Sequence, residues 1–170
     1  MVTHTLTTLR QLFTSGVCER DGIALRFRGT LGGFPSGRDD LEKTLGYKIP
    51  DDVAEFLREF GGTELFLNEH GVGFRVLRLD EIARVNRELQ ESTEPYWPRF
   101  AVVAFDRVDD MMCLHYCGDE VHFGNLHHEA WGEPDCWAKE AMTYAPFQSW
   151  LEMFVETADA IPGKDISYAI

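Results

Sequence analysis

The segment from residue 45 to residue 62 constrains the fold most, because it reads as one helix with a defined start and a defined end. Pro50 suits the first turn of a helix, where its missing N–H costs no hydrogen bond. Asp51 and Asp52 then place negative charge at the positive end of the helix dipole. Gly61-Gly62 supplies the left-handed residue that commonly ends a helix. The apolar residues between these ends recur at helical spacing on one face: Val53, Phe56, Leu57 and Phe60.

The rest of the chain alternates helical and strand patterns. Apolar spacing predicts further helices at 6–13, at 38–45, from Asp80 onward and after Pro146. Strands are predicted at 23–27, 64–67, 73–77, 100–105, 111–117 and 120–126, with loops at 91–98 and 127–144. Consecutive hairpins with helices grouped around them indicate the α+β class. We therefore predict a single domain in which a mostly antiparallel, mixed sheet packs with about four to five helices.

Length and composition agree with one globular domain. The chain has 170 residues, of which 44% are hydrophobic and 26% are charged, as in ordinary soluble proteins. No run is long and apolar enough for a transmembrane segment, and the first six residues lack the pattern of a secretory signal. We expect a cytoplasmic protein without membrane contact. Its cysteines are expected to be free thiols: Cys18, Cys113, Cys117 and Cys136.

The net charge of −13 is concentrated in one part of the chain. Residues 106–159 contain twelve acidic residues against Arg107 and Lys139, which leaves −10 in that stretch. An acidic surface repels the phosphates of nucleic acid and attracts a basic protein. We therefore expect a protein partner and no direct nucleic-acid binding. The alternative is a surface that serves solubility alone.

The 45–62 segment also carries a family resemblance. Its Leu-Gly, its hydrophobic residue before proline, its acidic pair, its aromatic-Leu pair and its closing Gly-Gly resemble the SUKH superfamily. That superfamily takes in fungal cell-wall-assembly regulators and many bacterial immunity proteins. Two later stretches look like later elements of the same family: Val121-His122-Phe123 with His128-Glu129, and 145–151.

The sequence departs from the family pattern at two places. Phe60 stands where the family more often has Asn, and residues 105–110 lack the glycines that usually precede the middle strand. The resemblance covers about 30–157. We therefore predict one SUKH-like domain over 1–170, with a helix and strand extension at 1–29 and a tail at 158–170.

The resemblance implies a non-catalytic protein-binding module. Such a protein would be of the immunity type and would neutralise a toxin by binding it, and the acidic stretch suits a basic, nucleic-acid-directed toxin. An intracellular scaffold or regulatory protein is an alternative, as the fungal members suggest. The residues offered for partner contact are carboxylates and tryptophans of the acidic stretch: Asp109, Asp110, Asp119, Glu120, Glu129, Trp131, Glu133, Asp135 and Trp137. The two tryptophans could instead pin their loop to the core.

Cysteines and histidines support a different alternative. Cys113, His115 and Cys117 alternate along one predicted strand and so share a face, and His122 and Cys136 follow. Thiolate and imidazole are zinc ligands, so a metal-dependent enzyme or a zinc-stabilised protein is possible here. Ligands two residues apart on a strand are separated by about 6.5–7 Å, however, and the Cys-x-x-Cys turn of a zinc knuckle is missing. We expect no cofactor, no metal and no catalytic residue.

Overall fold

One antiparallel sheet carries the fold in this computed structural model of the chain. The structure describes residues 2–32, 37–93, 100–117, 120–126, 142–144 and 146–158. Within these ranges there are five helices and eight strands. The helices are α1 (Val2–Ser15), α2 (Arg38–Leu45), α3 (Asp51–Phe60), α4 (Leu79–Thr93) and α5 (Phe147–Thr157). The strands are β1 (Val17–Arg20), β2 (Ile23–Arg28), β3 (Glu64–Leu67), β4 (Phe74–Val76), β5 (Phe100–Phe105), β6 (Met111–Cys117), β7 (Glu120–Leu126) and β8 (Met142–Tyr144).

Each strand pairs with the next one along the chain, from β1 to β8. Every described pair is antiparallel, so the sheet is a meander, and helices α2, α3 and α4 lie in the connections between β2 and β3 and between β4 and β5. The predicted α+β class is confirmed. Two strands were not predicted, β1 and β8, and α4 runs three residues into the predicted loop at 91–98. No helix in the described part of the chain is long and apolar enough to cross a membrane.

The core is an aromatic cluster between the sheet and two helices, α3 and α5. Trp150 of α5 is buried and its ring lies 5.5 Å from that of Phe74 on β4 and 4.4 Å from that of Phe123 on β7. Phe56 of α3 contacts the same tryptophan edge-on at 6.5 Å. The whole predicted stripe of α3 is buried, which confirms the helix and its inward face. Burying each such side chain contributes about 1.5–3 kcal/mol.

The two ends of α3 also follow from the sequence. Pro50 precedes the first turn with φ of −54°, and Asp51 and Asp52 occupy that turn. At the other end Gly62, with φ of +82°, is the left-handed residue, whereas Gly61 has φ of −57°. A Cβ at Gly62 would lie 2.7 Å from a side-chain carbon of Arg78, so glycine is required there for space as well as for φ.

A charged network around Glu42 joins α2 to α3. The buried Glu42 carboxylate accepts hydrogen bonds from Lys48 Nζ (2.6 Å), Arg38 Nε (3.0 Å) and the Ile49 backbone N–H (2.9 Å). The bond from Lys48, opposed by burial and supported by the other two donors, lowers the pKa of Glu42 to about 2. Arg38 also donates to Asp51 at 2.7 Å. The turn between the two helices is therefore fixed by its own charges.

Candidate protein-binding groove

Helix α4 is held against the sheet by Asn86, which takes the place of a missing strand. Strand β4 ends at Val76, and the next N–H, of Leu77, still donates to the carbonyl of Val103 on β5 at 3.0 Å. Beyond that point the Asn86 side chain accepts from the N–H of Val102 and donates to its C=O, both at 2.8 Å. A buried amide thus satisfies the strand edge that β4 leaves open. The position of α4 along β5 is fixed by these two bonds.

The turn between β5 and β6, which we call the hairpin tip (residues 106–110), is closed by Asp106. One carboxylate oxygen of Asp106 accepts hydrogen bonds from the backbone N–H groups of Val108 and Asp110, both at 2.9 Å. The backbone N–H of Asp106 donates to the Asp110 carbonyl at 3.0 Å. Asp109 adopts φ of +63°, a left-handed conformation that aspartate tolerates better than most residues. Asp106 and Asp110 are buried, whereas Asp109 is exposed and Val108 is 39% exposed. The hairpin tip therefore presents one apolar and one acidic side chain.

An open groove with a volume of about 510 Å³ lies between α4 and the hairpin tip. One wall is a single face of α4, and the other is formed by the ends of β5 and β6 with the tip between them. Both walls are apolar near the base, and each carries one carboxylate. The residues that matter here are Val85, Glu88 and Leu89 on α4 and Phe105, Asp109 and Met111 on the hairpin.

The charges around the groove differ in how far they are already engaged. Glu88 faces Arg84 one helical turn away at 3.2 Å, an exposed pair of the kind that contributes about 0–1 kcal/mol. Arg75 lies over the ring of Phe105 at 5.1 Å, so this cation is already engaged with an aromatic ring of the groove wall. Asp109 forms no ion pair with any side chain that the structure describes. Its charge is thus available to a cation from outside.

The structure separates the residues that the sequence offered for partner contact. Asp109 lies at the groove, but Asp110 is 0% exposed inside the hairpin tip, where its backbone N–H and C=O also close the turn. Asp110 therefore does not reach a partner surface and leaves the predicted set. Glu120 begins β7. The remaining predictions lie outside the described residues and stay predictions: Asp119, Glu129, Trp131, Glu133, Asp135 and Trp137.

The predicted cysteine and histidine cluster is only partly described. His115 of β6 pairs in register with His122 of β7, and its ring stacks on Phe100 at 4.5 Å. Cys113 is 2% exposed, and burial raises the pKa of its thiol, which disfavours the thiolate that a metal ligand or a nucleophile needs. Among the described side chains, no three His, Cys, Asp or Glu groups lie together as metal ligands would. The side chain of Cys117 and all of Cys136 lie outside the described residues.

Sequence reasoning missed the apolar walls of the groove. Apolar spacing places Val85 and Leu89 on one face of α4 with Ile82 and Asn86, yet Val85 is only half-buried, whereas Asn86 is buried and bonds to β5. The sequence does carry one signal for this wall: the apolar face of α4 is wider than a single neighbouring strand can cover. Its second wall could not be found from local sequence, since Phe105 and Met111 meet α4 only through the sheet.

A comparison with curated proteins finds no match to this chain. Among models of known protein families, that of the SMI1 / KNR4 family (SUKH-1) matches residues 39–153. The matched span begins in α2 and ends in α5, and it contains the charged α2–α3 turn, the hairpin tip and both walls of the groove. It covers well over half of the chain and lies inside the 30–157 span of the predicted resemblance. The chain therefore belongs to the SMI1 / KNR4 family of the SUKH superfamily.

Proposed function

We propose that this protein is a non-catalytic binding module of the immunity type, which neutralises a toxin by binding it. The SUKH family includes toxin-immunity proteins, which supports the class of function. One structural observation carries the proposal. Asp106 and Asp110 are buried and hydrogen-bonded within the hairpin tip, whereas Val108 and Asp109 are exposed beside an apolar groove. Protein interfaces have an apolar centre and a polar rim, and an exposed carboxylate at the edge of an apolar groove matches that arrangement.

The charge of the chain supports a basic partner. The net charge is −13, and residues 106–159 hold −10 of it. A toxin domain that grips phosphates is itself basic, so long-range attraction would steer it toward this acidic part of the protein. Such a toxin would act on nucleic acid in the cytoplasm, and we expect the protein to act there too.

Co-purification followed by growth rescue tests this function. The tagged full chain is recovered from its native cell, the bound protein is identified, and that protein is expressed with and without the chain in a test host. We expect a basic protein that stops growth when expressed alone and permits growth when the chain is present. A bound protein that leaves growth unaffected would contradict the immunity role and would favour the scaffold alternative.

The electrostatic part has its own test, made with the purified pair. Steered association gives rate constants that fall steeply with ionic strength, because salt screens the attraction between the free proteins. We expect the association rate to drop by about tenfold or more between low and physiological salt. An association rate that is equal at both salt concentrations would remove the acidic stretch from the mechanism and leave the binding role intact.

A further inference from the structure

We infer, resting on the proposed function above, that the groove between α4 and the hairpin tip binds an apolar side chain carried on a basic segment of the partner protein. The floor of the groove supplies the apolar half of this recognition. Val85 and Leu89 on one wall and Phe105 and Met111 on the other leave room for one or two large side chains within about 510 Å³. Protein pockets that bury a ligand group have volumes of about 300–1,000 Å³.

The rim supplies the charged half. Glu88 and Asp109 lie on opposite walls, so a cation beside the anchoring side chain would meet a carboxylate on either side. Among the described side chains, Glu88 pairs with Arg84 in an exposed ion pair, and Asp109 has no ion pair. Lys or Arg next to an apolar residue fits this arrangement, because its charge can pair with either carboxylate.

Both walls of the groove are also held in place by hydrogen bonds before any partner binds. Asn86 fixes α4 on β5 through two hydrogen bonds of 2.8 Å, and Asp106 fixes the hairpin tip through two of 2.9 Å. Arg107 ties the same tip to the end of α5 by donating to the carbonyl of Ala158. A site with both walls already held loses little conformational entropy on binding, which favours affinity.

A peptide titration tests the groove without any knowledge of the toxin. The full chain, labelled with ¹⁵N, is titrated with a short synthetic peptide of Lys and Leu patterned as an amphipathic helix, and amide shifts are followed by NMR. Two matched peptides replace every Lys by Glu or every Leu by Ser. We expect shifts at Val85, Leu89 and Met111 with the Lys–Leu peptide, and binding weaker by about tenfold or more with either control.

Variants of the chain give the second arm of the experiment. Val85→Lys places a charge on the wall of the groove and should weaken the Lys–Leu peptide by about tenfold or more, whereas Gln90→Lys adds the same charge on the exposed side of α4 and should change little. Asp109→Asn should weaken binding by about two- to fivefold. Asp21→Asn is its matched control, because Asp21 is also exposed and left-handed, with φ of +49°.

Three results would overturn the inference. They are shifts confined to residues away from the groove, equally tight binding of the Glu–Leu peptide, and equal effects of Val85→Lys and Gln90→Lys. If Val85→Lys proves unfolded by thermal melting, Asp109→Asn and its control decide the matter. Failure of growth rescue with groove binding intact would reject the proposed function alone. Growth rescue by a folded Val85→Lys variant as complete as by the natural chain would reject the groove alone.

Discussion

The α2–α3 turn (residues 46–50) and the hairpin tip both lie among carboxylates, and these carboxylates are used in opposite ways. In the first, Glu42 accepts three hydrogen bonds and Arg38 reaches across to Asp51, so the carboxylates serve the packing of two helices. In the second, one carboxylate, that of Asp106, closes the turn and leaves Asp109 exposed at the groove. The difference separates the scaffold from the proposed binding surface. The segment that identifies the family builds the fold, and the charge available to a partner lies elsewhere.

Both turns are nevertheless attached to the body of the domain by side-chain contacts. Tyr116 of β6 donates a hydrogen bond to the carbonyl of Lys48 at 3.0 Å and stacks on Tyr47 at 4.3 Å, which attaches the α2–α3 turn to the sheet. Arg107 attaches the hairpin tip to the end of α5. The two turns thus differ in what they expose rather than in how firmly they are held. We therefore expect that substitutions in the α2–α3 turn can change stability with little effect on partner binding, and that substitutions at the exposed hairpin tip can do the reverse.

The largest effect is expected from Phe56→Ala in α3. This ring is buried against Phe60, Phe147 and Trp150, so truncation leaves a cavity and should lower the free energy of unfolding by about 3–5 kcal/mol. Val85→Ala on the groove wall should cost less than about 1 kcal/mol, since that side chain is already partly exposed. Urea denaturation measures both. Similar losses of unfolding free energy for the two variants would contradict the distinction between a structural core at Phe56 and a surface position at Val85.

Asn86→Leu should cost about 2–4 kcal/mol. The substitution keeps the size of the side chain but leaves the buried N–H and C=O of Val102 without the partners they have now. The Val102 amide should also lose protection in hydrogen exchange, which local opening of α4 from β5 would cause. Gln90→Leu on the exposed side of α4 is the control and should change stability by less than about 0.5 kcal/mol. Unchanged exchange at Val102 would show that Asn86 does not hold this edge.

Glu42→Gln tests the α2–α3 turn through its pH dependence. The native pKa of Glu42 is about 2, below the unfolded value of about 4.3, so its stabilisation is complete above about pH 5 and is lost as the pH falls through 4 toward 2. Because Lys48 is largely exposed, we expect a loss of only about 1–2 kcal/mol at neutral pH. The difference between the two chains should shrink toward pH 2 in urea denaturation. A difference that stays constant from pH 7 to pH 3 would rule out the carboxylate as its cause.

The smallest effect on stability is expected from Asp109→Asn at the hairpin tip. Asparagine also tolerates the left-handed conformation, and no described ion pair is lost, so the free energy of unfolding should change by less than about 0.5 kcal/mol. Partner binding should nevertheless weaken. A destabilisation above about 1 kcal/mol, seen in the same denaturation assay, would place Asp109 in the scaffold with Asp106.

Much of the fold was predictable because its signals are local. The stripe of α3, the left-handed glycine after it and the apolar patterns of six strands, β2 to β7, all lie within short windows of sequence. Strand β1 was missed although Asp21-Gly22, with both residues left-handed, is a two-residue hairpin turn that the sequence shows. Strand β8 has three residues and pairs with β7 across a long connection, so no local pattern announces it.

The site was less predictable, because its residues come together only in the folded chain. Charge density along the sequence selected both Asp109, which the structure places at the groove, and Asp110, which is buried within the hairpin tip. Charge counts along a sequence do not distinguish a carboxylate that caps a turn from one that faces solvent. The apolar walls required the pairing of β5 with β6 and the docking of α4 by Asn86, both of which are long-range contacts.

Chemical-shift mapping of the partner on the ¹⁵N-labelled chain tests the central claim most directly. The partner is the toxin identified by co-purification and growth rescue, titrated at low salt. Perturbed amides should lie in α4 from Val85 to Leu89 and along 105–111, with residues 38–62 unchanged. Perturbations concentrated in 38–62, with the groove unaffected, would contradict the account and make the family segment itself the binding surface.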